Sequence, residues 1–199
     1  AGEWQTWKPM EFTGQDVYGA TLGIIGMGNI GAATARRALG FGMRILYHNR
    51  KPNPLAEAAL GCTYVDLDTL LRESDFVSLH CPLTPETRHM ISDREFKLMK
   101  KTAILINTAR GAVVDEDALV RALQAGEIWG AGIDVYSIEP VPLDHPLLKL
   151  DNVVTLPHIG SASIRTRTRM ATLAAENVVA ALTGKEPPTP VNARQLRGA

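Results

Sequence analysis

Three ionisable side chains each follow a short apolar run that reads as a strand: Arg110 after "AILINTA", Glu139 after "AGIDVYSI" and His158 after "VVTLP". In an open parallel sheet, ligands sit beyond the carboxyl ends of the strands, so parallel strands would carry all three to one edge. Together they suit reduction of a carbonyl that stands beside a carboxylate. Arg110 can hold carboxylate and carbonyl oxygens in a planar fork. His158, titrating near neutrality, can protonate the carbonyl oxygen as a hydride reaches its carbon. Glu139 can bond the imidazole, favour its charged form and fix its orientation. Singly, each has a plainer reading: a turn residue before Gly111, a solvated loop acid before Pro140, a satisfied core histidine. Their shared place past strand ends favours the joint reading.

A hydride needs a carrier, and "GIIGMGNIG" supplies a place for one. Gly26, Gly28 and Gly31 follow a strand and open a helix. The first permits the tight turn, the second lets backbone approach a pyrophosphate, and the third lets helix and strand pack closely. Asn29 and Ile30 begin that helix, whose free N–H groups and positive dipole end favour phosphate. Tight packing alone, or a mononucleotide or methyl-donor site, are the competing readings of the glycines. Context favours a dinucleotide.

The second strand ends in "HNRK", residues 48–51. About 20 residues past a glycine turn, an NAD site usually offers an acid to the ribose 2′-OH. Asn49 is neutral, Arg50 can grip a 2′-phosphate, and Lys51 adds positive charge. The stretch therefore reads as a selector for NADP(H), with NAD(H) still open if Arg50 only stacks on adenine. His48 is placed near the adenosine end.

The elements that must position these groups alternate. Strands are expected at 21–26, 43–49, 75–81, 102–108, 130–136 and 152–158, and helices at 29–42, 66–74, 92–101, 115–127 and 161–184. Ser92 and Glu95 make a capping box. Strands alternating with helices give βαβ units. The fold class is thus α/β: a doubly wound parallel sheet, the Rossmann dinucleotide-binding domain. Residues 1–20, with Trp4, Trp7, Pro9 and Phe12, lack a clear period, and "KEPPTPVN" should be extended.

Composition bounds the function classes. The chain has 199 residues, 45% hydrophobic and 21% charged, with Lys+Arg and Asp+Glu both 21 and no net charge. That argues against a dedicated nucleic-acid partner or a membrane surface. "IRTRTR" (164–169) reads as a solvated helix face or dimer contact. Cys62 and Cys81 lack paired spacing, so neither a disulfide framework nor a metal site is indicated. No leader or membrane span is visible, and a reducing cytoplasmic location fits. The chain opens at Ala1 without Met, as a processed or trimmed chain would. His80 and His89 read as structural or surface residues.

The stretches "TLGIIGMGNIG", "LHCPLTPETRHMI", "MKKTAILINTARGAVVDEDAL", "AGIDVYSIEP" and "HPLLKLDNVVTLPHIGSAS" resemble the D-isomer-specific 2-hydroxyacid dehydrogenases. "EWQTWKP" and "ILYHNR" look most like that family's glyoxylate/hydroxypyruvate reductase branch, beside the similar 2-ketogluconate reductases. The resemblance implies Arg110, Glu139 and His158 as the catalytic trio, with His158 the acid/base. It implies Asp134 near the nicotinamide carboxamide, with Thr108, Ala109 and Gly160 beside the cofactor. Cys81 and Pro82 would lie along the adenosine and Thr87 near the ribose-phosphate. The implied partner is a small 2-keto acid, reduced with NADPH to a D-2-hydroxy acid. The implied assembly is a homodimer, in which residues 1–20 form an arm and 161–184 a return helix. The family's substrate domain, mostly about a hundred preceding residues, is largely missing, so weak or no turnover is expected from this chain alone. A rival from another class is a dinucleotide-sensing module, as in the corepressors that resemble this family and look NAD-type. A dehydrogenase working mainly in the oxidative direction is a third reading.

Overall fold

The computed structural model describes residues 4–11 and 13–192; Phe12 of the aromatic opening, residues 1–3 and residues 193–199 lie outside the described residues. The chain divides after Pro157 into two units.

The first unit is built on seven parallel strands: β1 (Thr21–Ile25), β2 (Arg44–His48), β3 (Thr63–Tyr64), β4 (Phe76–Leu79), β5 (Ile104–Asn107), β6 (Gly130–Ile133) and β7 (Val153–Thr155). Their spatial order is β3-β2-β1-β4-β5-β6-β7. The chain winds outward from β1 to β3, then returns to β4 on the other side of β1. That reversal makes the β1–β4 edge the topological switch point, where such sheets take their ligands. Along β1 the side chains alternate between two cores. Leu22 and Ile24 pack with Ala35, Ile45 and Tyr47, while Ile25 packs with Leu71, Leu79 and Leu105. Both faces are covered at the centre of the sheet, where β1 and β4 are mostly buried apolar runs, whereas Val154 of the edge strand β7 is exposed.

Among the described residues this unit holds the α-helices α1 (Asn29–Ala38), α2 (Pro54–Leu60), α3 (Leu67–Glu73), α4 (Asp93–Leu98) and α5 (Glu116–Gln124). The helix expected at 29–42 stops at Ala38. A 3-10 turn over Leu39–Phe41 follows, and Gly42 ends it at φ 65°. α2 and β3 have no counterpart among the expected elements. Asn53 accepts the Ala56 N–H at 3.2 Å, Pro54 takes the first helical position, and Gly61 closes α2 at φ 62°. Pro at the start and Gly at the end are the usual punctuation of such a helix. Ahead of α4, Glu95 accepts the Ser92 N–H at 3.2 Å, while the Ser92 hydroxyl bonds Asp115 at 3.1 Å. Asp115 caps α5 through the Ala118 N–H at 3.1 Å.

The second unit contains α6 (Ile164–Leu182). It is shorter than the expected 161–184 because Ser163 is its cap, accepting the Thr166 N–H at 3.1 Å. Beyond it the chain is extended, and Asn177 holds Thr189 through bonds of 2.9 and 3.1 Å. Among the described residues no helix is long and apolar enough to cross a membrane, and no group of three or more His, Cys, Asp or Glu could hold a metal ion. Cys62 and Cys81 are free thiols.

Candidate cofactor cleft and catalytic edge

The glycine turn leaves β1 under tight constraint. Gly26 has φ 102°, and a Cβ there would stand 2.6 Å from the Cys81 nitrogen and the His80 carbonyl carbon. A Cβ at Gly31 would strike the Gly26 carbonyl, whereas one at Gly28 would meet nothing within 4 Å. The outer glycines thus lock the turn, and the middle one faces open space. That space is a cleft of about 810 Å³ at the switch point, walled by the ends of β1, β2 and β4. Gly28 is the N-cap of α1 and supplies no side chain to its first N–H groups, the donors a phosphate would take. A dinucleotide fits this frame. Asn29, Ile30 and Gly31 continue into α1 and do not line the cleft itself.

The turn is pinned from the β2 side by two asparagines. Asn49 Oδ1 accepts the Met27 N–H at 2.7 Å, and Asn53 Nδ2 donates to the Met27 carbonyl at 3.0 Å. Buried Tyr47 donates to Glu57 at 2.6 Å and accepts the Asn53 N–H at 2.6 Å. Burial, with Glu57 beside it, pushes the Tyr47 hydroxyl up to about 12. Asn49 therefore braces the turn with its oxygen. Arg50 and Lys51 are exposed at the cleft mouth, and His48 lines the cleft while bonding the Val65 carbonyl through Nδ1 at 3.0 Å.

The β4 wall begins with His80 and Cys81. His80, bonded to Ser78 Oγ at 2.9 Å, lines the cleft, and burial lowers its pKa. It is thus a neutral wall residue of the site, closer to the cofactor cleft than a surface reading suggests. Burial pushes the Cys81 thiol up, so it is no ready nucleophile. Pro82 and Thr87 also line the cleft. The Thr87 hydroxyl donates to the Pro82 carbonyl at 2.7 Å and accepts the Thr84 N–H at 2.8 Å. Its proton is spent on shaping this loop.

Past β5 and β6 come the segments that carry Arg110 and Glu139, two of the residues expected to be catalytic. Buried Asn107 accepts the Ala109 N–H at 3.1 Å and donates to the Arg110 carbonyl at 3.0 Å, fixing the bend that carries Thr108, Ala109 and Arg110. The Arg110 head is exposed and bonds the Ala109 carbonyl at 2.6 Å. Gly111 packs against the backbone of Tyr136 and Ser137, too closely for a side chain, so the β5 and β6 loops lie together. Asp134 is buried just past β6. Glu139 accepts the Tyr136 N–H at 3.0 Å, and the Glu139–Pro140 peptide is cis. Glu116, at the start of α5, accepts the Ser137 N–H at 2.6 Å and pairs with His145 at 3.3 Å. His158 opens the second unit with φ 54°, a left-handed conformation uncommon for a side-chain-bearing residue, and Gly160 follows it.

The family model for the NAD-binding domain of the D-isomer-specific 2-hydroxyacid dehydrogenases matches residues 1–160. The chain belongs to this family. It is 58% identical over 192 residues to a glyoxylate reductase of Korarchaeum cryptofilum, covering 96% of this chain and 58% of that one. It is 54% identical over 196 residues to the glyoxylate reductase of Thermococcus litoralis, covering 96% and 59%. Among solved structures, the TT0316 protein of Thermus thermophilus superposes with a TM-score of 0.90 at 53% identity, covering 96% and 59%. A glyoxylate reductase of Paecilomyes thermophila superposes with a TM-score of 0.81 at 45% identity, covering 92% and 55%. The chain spans about three fifths of the length of these curated relatives.

In this 2-hydroxyacid dehydrogenase domain, the residues that sequence reasoning passes over are those that hold others. Asn53, Asn107, Glu116 and His145 have no motif of their own. Only Asn53 carries a cue, standing before Pro54 as a cap.

Proposed function

We propose that this chain is the cofactor-binding part of an NADPH-dependent reductase that turns small 2-keto acids, glyoxylate and hydroxypyruvate first and 2-ketogluconate as a further member, into 2-hydroxy acids, with the D configuration wherever the new carbinol carbon is chiral. The observation that carries it is the cleft at the switch point, where the glycine turn shares walls with Arg50 and Lys51. Arg50 and Lys51 would hold the 2′-phosphate, and the backbone of Gly28, Asn29 and Ile30 the pyrophosphate. When bound, the nicotinamide supplies the hydride. Arg110 holds the substrate carboxylate and carbonyl oxygens in its fork. His158 gives its proton to the carbonyl oxygen, and Glu139 keeps the imidazole charged and oriented until that transfer. Asp134 is assigned to the carboxamide. A homodimer in the cytoplasm belongs to the same reading: Trp4 and Trp7 are 68% and 75% exposed, as an arm reaching a partner requires, and both cysteines are free.

Calorimetric titration with NADPH and NADH at one ionic strength tests the cofactor. NADPH should bind at least about tenfold tighter, roughly 1.4 kcal/mol. Equal or tighter binding of NADH overturns the selector. Multiple-turnover reduction of glyoxylate by the protein with its substrate domain tests the reaction. Tight cofactor binding without turnover would favour the sensing module.

A further inference from the structure

We propose that Glu116 and His145 are a positioning pair for the reaction, holding the loop after β6 so that the Glu139 carboxylate keeps its place. The proposal rests on the reading that Glu139 is one of the catalytic residues.

The tip of that loop has no apolar anchor. Burial ends at Tyr136, and Ser137, Ile138, Glu139 and Pro140 are all exposed. Hydrogen bonds must therefore fix it. Glu139 accepts the Tyr136 N–H at 3.0 Å, which folds its carboxylate back on its own turn. The next N–H, that of Ser137, goes to Glu116 Oε1 at 2.6 Å. Two carboxylates thus take two successive amides, one from within the loop and one from α5. The start of α5 is itself fixed, because Asp115 accepts the Ala118 N–H at 3.1 Å and donates its own N–H to the Ile91 carbonyl at 2.9 Å.

Glu116 is held in turn. Its Oε2 faces His145 Nε2 at 3.3 Å, and the two side chains are only 16% and 18% exposed. His145 Nδ1 accepts the Leu147 N–H at 3.3 Å, so the ring proton lies on Nε2, toward Glu116. Leu147 is fully buried, and the Tyr136 ring meets His145 edge-on at 6.4 Å. The contacts therefore run from the core at Leu147 to the loop that carries Glu139. Glutamine at 116 cannot reproduce them, having one oxygen for two separate donors, the Ser137 N–H and the His145 Nε2–H. Glu116, His145 and the loop lie outside the lining of the cofactor cleft. Loosening the loop should displace Glu139 and spare the cofactor.

The test uses the protein with its substrate domain. It measures kcat and KM for glyoxylate reduction, the NADPH dissociation constant and the thermal melt for the parent, Glu116→Gln, Glu139→Ala and the double variant. Glu116→Gln should lower kcat roughly tenfold, with KM and NADPH binding within about twofold of the parent. With Glu139→Ala nothing is left to place, so adding Glu116→Gln should lower kcat no further. His145→Asn keeps an acceptor for the Leu147 N–H and drops the bond to Glu116. It should lower kcat roughly threefold, again only when Glu139 is present, and it decides the question if Glu116→Gln does not fold. A full kcat in Glu116→Gln, with Glu139→Ala impaired, overturns the positioning while the reading of Glu139 stands. An equal fractional fall in both backgrounds also overturns it, because the pair would then act without Glu139. So does a matching loss of NADPH binding, the sign of a general loosening. If Glu139→Ala keeps the parent kcat, the reading and the positioning fall together.

Discussion

Replacing Asn49 by Asp separates the two tasks that its position combines. Asn49 Oδ1 accepts the Met27 N–H at 2.7 Å, and Asn53 holds the Met27 carbonyl on the other side. Aspartate has the same shape and keeps the acceptor, and a charged acceptor bonds an N–H at least as well. The turn should therefore survive, with Asn49→Asp costing less folding stability than a change that removes the acceptor. The proposed preference for NADPH should not survive. Repulsion between unit charges in contact is about 1 kcal/mol in water, and a ribose phosphate carries nearly two charges, so NADPH should lose about 2 kcal/mol. The new carboxylate also offers the ribose 2′-OH its usual partner, worth up to about 1 kcal/mol to NADH. The combined swing of about 2–3 kcal/mol is roughly 30- to 150-fold in the NADPH/NADH ratio. Asn49→Ala is the contrasting variant. It leaves a half-buried Met27 N–H unpartnered at a cost of about 1–2 kcal/mol, loosens the turn and should weaken both cofactors alike. Paired titrations with a thermal melt of each apo variant decide it. If Asn49→Asp melts as early as Asn49→Ala, or shifts both cofactors equally, the division of labour assigned to Asn49 is wrong.

Gly26→Ala forces a Cβ toward the Cys81 backbone at φ 102° and should cost about 2–4 kcal/mol, read by denaturant unfolding, with loss of cofactor binding. Tyr47→Phe strands the Asn53 N–H and should cost about 1–3 kcal/mol at neutral pH. The folded Tyr47 titrates near 12 against an ordinary 10.0, so its contribution is whole below pH 10 and is lost as pH rises through about 12. Alkaline unfolding of the phenylalanine variant should lack that added slope. Asp115→Ala removes the α5 cap and the Ser92 contact and should cost about 1–2 kcal/mol. The Ala118 N–H holds the Asp115 carboxyl below the ordinary carboxylate range, so its contribution is present above that range and fades as pH falls through it. Acid melts of the two proteins should therefore converge at low pH.

What the sequence made legible was whatever repeats or punctuates. Gly26, Gly28 and Gly31 announce a turn because their spacing reflects backbone geometry: a Cβ at Gly26 or Gly31 would strike backbone, while one at Gly28 would meet nothing within 4 Å. Buried parallel strands read as apolar runs because both faces are covered. Short elements escaped: β3 pairs only two residues, and α2 is seven residues between polar stretches, too short to display a period. Strand ends were overrun for a related reason. Asp134, Val135 and Tyr136 stay buried after β6 has stopped pairing, so burial alone extends the apparent strand. The positioning contacts were illegible because Asn107 and Glu116 act on backbone groups of distant loops, and a backbone N–H carries no sequence mark.

Those same contacts explain how a site made of loop residues can be held still. At each strand end the chain leaves the hydrogen-bond ladder, and its N–H and C=O groups need partners within a few residues. Asn49 and Asn53 supply them for Met27, Thr87 for the loop after β4, Asn107 for the bend after β5, and Glu116 for the loop after β6. The asparagines and Thr87 are short side chains with few rotamers, so little entropy is lost in fixing them, while the longer Glu116 is also paired with His145. The long cations Arg50 and Arg110 extend from these braced segments into solvent. Bracing and recognition therefore fall on different residues, even where they adjoin, as Asn49 and Arg50 do. On the proposed reading, cofactor preference can change through residue 50 without disturbing the turn, whereas any change at residue 49 must first preserve an acceptor for Met27.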